Sequence, residues 1–125
     1  MTRAVTNSTK RTTLVSELEV AETGWQRMRG LLGRSSREFP KGKGLWLRSC
    51  EGIHTIGMAF PIDVAYLDGQ NRVRHMYHGL RPFRIGKITW EVRSVLELPA
   101  GILKESRTEI GDVLQFTDHA DNPRP

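Results

Sequence analysis

The sequence predicts a mainly β domain, α+β in class: a compact antiparallel β-barrel or sandwich with one short N-terminal helix. Three observations carry this expectation. Several apolar runs alternate with a period of two, the spacing of a half-buried strand. Turn formers such as Asp68-Gly69 and Gly111-Asp112 separate the runs. Most links are short, and short links join antiparallel strands. At 125 residues the chain is one domain's worth and long enough to bury a core without staples. Its 38% hydrophobic and 26% charged residues exclude a wholly disordered chain. No run approaches the roughly 20 apolar residues of a membrane-spanning helix.

Residues 1–11 and 119–125 are polar and read as flexible tails, leaving 12–118 as the single domain. Leu14 to Ala21 alternates, with Glu17 and Glu19 on one side, and reads as the first strand. Thr23 then resembles a helix N-cap, and Trp25, Met28 and Leu32 fall on one helical stripe that Gly33 ends. Trp25 and Trp46 have apolar neighbours and are expected in the core, whereas Trp90 sits among polar residues as a contact residue. Residues 34–44 are a charged loop, and Leu45 to Leu47 starts another strand. IHTIGMAF is apolar but broken by Gly57, which predicts an irregular or bulged strand. Pro61 opens the strand IDVAYLD, and the Asp68-Gly69 turn leads into NRVRHMYH, with Val73, His75 and Tyr77 expected on one face. Ser94 to Leu98 is a further strand, a short and partly helical stretch follows, and Val113 to Phe116 is the last strand.

The charge is uneven. The whole chain carries +5, but the segment 27–48 carries +6 and 72–87 carries +5, while both 49–71 and the stretch from Ile88 onward are acidic. Two basic segments on one continuous face would bind a polyanion. No nucleic-acid recognition motif accompanies them, so nucleic acid is not the expected partner. One cysteine excludes an internal disulfide and a multi-cysteine zinc site. A lone thiol and the absence of an apolar secretory segment near the N-terminus point to the cytoplasm.

The helix WQRMRGLLGR, the stretch CEGIHTIGMAFPIDVAYLDGQNRV, then VLELPAG and IGDVLQF occur in an order and spacing that resembles the bacterial and archaeal family called domain of unknown function 192. The resemblance runs from about Leu18 to Phe116. It implies a small β-rich fold and no particular activity. Other members of that family often carry a membrane or export signal, and its absence here agrees with a cytoplasmic location.

The densest reactive set is Cys50, His54, Thr55, Met58 and Asp63. Cys50, His54 and Met58 are spaced by four, which puts them on one side of a strand or a helix. Thiolate, imidazole and thioether are ligands for a soft metal such as Cu(I). Alternatively, Cys50 is a nucleophile, His54 its base and Asp63 the group that orients the base. Both chemistries compete with plain packing, because cysteine and methionine are commonly buried as hydrophobes. Packing is the expected role of Cys50.

Asp63 lies in a run that is apolar on both faces, so it is expected to be buried and hydrogen-bonded. Gly57 and Pro61 turn the chain so that His54 and Asp63 can share a neighbourhood. Asp68 and Asp112 read as turn acceptors, and Glu97, between Leu96 and Leu98, as a residue meeting solvent or an arginine. The resulting expectation is a protein that binds a small ligand or a partner without catalysis, through His54, Thr55, Met58 and Asp63. No cofactor is indicated.

Overall fold

A computed structural model describes residues 3–21, 35–48, 60–82 and 91–118. Eight strands, one short α-helix and one 3₁₀ turn (Ser36–Glu38) occur among them: β1 (Arg3–Asn7), β2 (Thr12–Val15), β3 (Glu17–Ala21), β4 (Lys43–Arg48), β5 (Ile62–Leu67), β6 (Val73–Leu80), β7 (Ser94–Pro99), α1 (Ile102–Glu105) and β8 (Leu114–Asp118). They form a three-stranded sheet, β2-β1-β8, and a five-stranded sheet, β3-β4-β7-β5-β6. The arrangement is sandwich-like. Among the described residues no continuous ladder closes it into a barrel; only the isolated bridge Arg72↔Val113 links β6 to β8 at one corner. No described helix is long and apolar enough to cross a membrane. The helix expected from Thr23, with Trp25, Met28 and Leu32, lies outside the described residues, as do Trp90 and the tail 119–125.

The N-terminal segment is not a tail. β1 is the central strand of the smaller sheet, paired antiparallel with β2 on one side and β8 on the other. Its inward residues are Val5 and Asn7, both 0% exposed. Sequence patterning misses the strand because one of its two inward side chains is polar.

The alternating stretch 14–21 is two strands rather than one. The chain bends at Ser16, where the amides of Ser16 and Glu17 both donate to the Gly42 carbonyl (2.8 and 2.9 Å). The bend moves the chain from the edge of one sheet to the edge of the other. β3 then runs parallel to β4, the one parallel pair among the described strands, from Glu17↔Lys43 to Ala21↔Leu47. Residues 22–42 supply the long connection that a parallel pair requires.

β7 and β5 are central in the larger sheet, which is buried on both faces. One face packs on the smaller sheet through Ala65, Leu67, Leu96 and Leu98 against Val5, Val15 and Leu114. Trp46 joins this contact, its ring stacked on Phe116 at 3.9 Å. The other face carries Leu45, Leu47, Ile62, Val64, Tyr66 and Val95, covered in part by Phe39, Phe60 and Val92. β5 is buried at every position, as its two-faced apolar run predicts. β6 does not keep Val73, His75 and Tyr77 on one face. A register shift between Tyr66 and Leu67 pairs Leu67 with Val73 but Tyr66 with His75. The bulge sends Val73 into the intersheet core and leaves His75 and Tyr77 opposite Tyr66 and Val64 on the other face.

Candidate functional site

Asp63 is 1% exposed. Its Oδ1 accepts from the Gly79 amide (2.8 Å), and its Oδ2 accepts from the amides of Gly101 (3.0 Å) and Leu103 (2.9 Å). Gly79 and Gly101 have φ of 62° and 99°, in the left-handed region that favours glycine. Gly79 lies where the β5–β6 register shifts, and Gly101 precedes α1. One carboxylate therefore holds a bulge and a helix start that belong to different parts of the chain. Three of the roughly four acceptor positions of a carboxylate are filled by backbone.

Two other buried aspartates do related work. Asp68 accepts from the amides of Gln70 (2.9 Å) and Arg72 (3.0 Å) and from Arg74 Nε (2.8 Å). Asp112 accepts from Asn7 Nδ2, Lys10 Nζ and the Glu109 amide, tying the β1–β2 turn to the loop before β8. Burial pushes the Asp68 carboxyl up, but the Arg72 amide, the Arg74 guanidinium and the Gln70 amide outweigh it and hold it below its ordinary value. Burial opposes likewise at Asp112, and Lys10, Asn7 and the Glu109 amide prevail. Both folded values thus lie below the unfolded ones, so the unfolded chain takes up protons first as pH falls. The stability these groups contribute is complete above about pH 4 and is lost as pH drops through the depressed folded values. A melting temperature followed from about pH 6 to about pH 2.5 is expected to fall, and Asp112→Asn to flatten part of that fall. An unchanged slope in the variant would contradict this role.

The far face of the larger sheet holds a different acid. Glu97 is 3% exposed, so it does not point to solvent as alternation with Leu96 and Leu98 predicts. It pairs in register with Leu45 on one side and Val64 on the other, in the middle strand of the sheet. Tyr66, His75 and Tyr77 share this face. The His75 and Tyr77 rings meet edge-on at 4.7 Å, and Tyr66 lies 5.5 Å from His75 and 5.9 Å from Tyr77. None of the four is without a partner. A signal for Glu97 was present in the sequence: Val95 shares its parity, so both faces of VLELP are apolar.

The family model described as "Uncharacterized ACR", the domain of unknown function 192 (DUF192), matches residues 4–116. The chain belongs to this family. The fold is shared with a protein of unknown function from Novosphingobium aromaticivorans, at 18% identity and TM-score 0.75, over 90% of this chain and 82% of that one. It is also shared with a Sinorhizobium meliloti protein titled a "putative transcription regulator", at 24% identity and TM-score 0.76, over 91% of each chain. No curated protein matches.

In this DUF192 domain Cys50, His54, Thr55 and Met58 lie outside the described residues, so of the expected set only Asp63 is described. Among the described residues no group of three or more His, Cys, Asp or Glu could hold a metal ion. The basic segments are partly neutralised: Lys41 pairs with Glu105, Lys43 with Glu17 and Arg74 with Asp68.

Proposed function

We propose that this DUF192 domain is a non-catalytic, cytoplasmic small-ligand-binding protein whose site is the Glu97 face of the larger sheet. The observation that carries the reading is a buried glutamate in the middle strand of a sheet, beside an imidazole and two phenols. An apolar surface with a few convergent polar groups is the usual composition of a ligand site. The buried aspartates hold turns, whereas Glu97 stands at mid-sheet, where no turn needs an acceptor.

Phe60, which ends the segment bearing His54, Thr55 and Met58, packs on this same face. In this reading those three side chains line the site, and Asp63 shapes it by fixing the β6 bulge and the turn before α1. The thiol-enzyme alternative needs Asp63 to orient His54. Three backbone amides on Asp63 count against that use. The soft-metal alternative rests on Cys50, His54 and Met58 alone.

Melting curves against a panel of small metabolites test the proposal. Some compound is expected to raise the melting temperature of the wild type and not that of Glu97→Gln, since a ligand that binds the folded state stabilises it by mass action. A compound that stabilises both equally would place the site elsewhere. Rapid, pH-insensitive labelling of Cys50 by a disulfide reagent near neutrality would favour the thiol reading instead.

A further inference from the structure

On the opposite side of the larger sheet, where Arg48 of β4 pairs in register with Ser94 of β7, a cleft of about 300 Å³ opens beside the β5–β6 turn. Trp46, Arg48, Asn71, Arg93 and Ser94 line it, with the Asp68-Gly69 turn at its rim. We propose that this cleft binds a small oxyanion, a phosphate or carboxylate carried by a metabolite.

Four observations converge. The Trp46 indole Nε1 and the Ser94 hydroxyl are shielded from water and have no hydrogen-bond partner among the described residues. Buried polar groups are normally paired, and these two unpaired ones belong to residues that line one cleft. The guanidinium of Arg93 has no ion-pair partner among the described residues, and that of Arg48, which has a partner of its own, lies 5.0 Å over the Trp46 ring. Both are planar donors suited to a two-oxygen acceptor. The acid at the rim, Asp68, is committed to Arg74 and two backbone amides, so it does not cancel the arginines. Glu91, in the adjoining depression with Arg74 and Arg93, is the other acid nearby. Finally, Arg48, the end of the first basic segment, lines the cleft, and the pairing of Lys41 and Lys43 with glutamates leaves a local pocket rather than a basic stripe.

The anion meets Arg93 and Arg48, which line the cleft. The cleft is separate from the Glu97 face, so either site can exist without the other.

The test follows the Trp46 indole N–H resonance, assigned with Trp46→Phe, while inorganic phosphate or acetate is added to the whole protein at constant ionic strength set with chloride. A saturable shift of that resonance is expected with one or both oxyanions and not with chloride. Arg93→Gln, at an exposed position, is expected to weaken the binding by about tenfold, the scale of one lost charge-assisted contact. Whichever oxyanion binds more tightly identifies the headgroup. An immobile indole resonance, an equal response to chloride, or unchanged binding in Arg93→Gln overturns the proposal. So does a short oligonucleotide that binds far more tightly than phosphate with shifts spread over residues 35–43, which would make the surface a polyanion track.

Discussion

Deleting residues 1–11 is expected to abolish cooperative folding. β1 is paired on both sides, along its length from Arg3↔Asp118 to Asn7↔Leu114 against β8 and over its second half from Val5↔Val15 to Asn7↔Thr12 against β2. Removing it leaves two strands with facing unpaired edges and uncovers the apolar inner face of the larger sheet. It also removes Asn7 and Lys10, which hold Asp112 at 2.8 Å each. Burial of a valine contributes about 1.5–3 kcal/mol and each hydrogen bond about 0.5–1.5 kcal/mol. The loss is therefore comparable to the whole stability of a domain this size, about 5–15 kcal/mol. Circular dichroism and a melting curve check it. A truncated chain that melts like the wild type would return the segment to the status of a tail.

Asp63→Ala is expected to cost about 3–6 kcal/mol, because it strands three amide donors at about 1–3 kcal/mol each where they stay buried. Asp63→Asn is expected to cost less. Its remaining oxygen can still accept from Gly101 and Leu103, but its amide group then faces the Gly79 N–H, donor against donor. Denaturant unfolding is the measurement: the midpoint is expected to move with little change in slope. An alanine variant within about 0.5 kcal/mol of the wild type, the scale of an ordinary surface substitution, would show that these hydrogen bonds do not hold the fold.

Asp63 was legible because the run around it is apolar at both parities, and a carboxylate in such a run has to find donors. The same reasoning placed β4, β5 and β7 and the turn at Asp68. It failed at β1, where Asn7 takes an inward position as part of a polar network with Thr108 and Asp112. It failed at Ser16, because a bend between sheets leaves the alternation of apolar residues almost intact. It failed at Val73, because a one-residue bulge exchanges the faces beyond it. The solvent-facing alternative for Glu97 failed because it treated β7 as half-buried. Alternation predicts an exposed face only for a strand covered on one side, and β7 lies mid-sheet between two apolar layers. The polar residues that sequence reasoning reads best are those needed by a local turn. The proposed site residue Glu97 answers to no local turn, and its signal was the apolar Val95 at the same parity.

Native mass spectrometry of the protein isolated from its own host tests the central claim most directly. The wild type is expected to carry a small non-covalent mass increment that disappears on denaturation and is missing from Glu97→Gln folded as well as the wild type. A wild type with no increment, or an increment retained in Glu97→Gln, would contradict a ligand site on the Glu97 face. An increment that survives denaturation would contradict non-catalytic binding and point to covalent chemistry at Cys50.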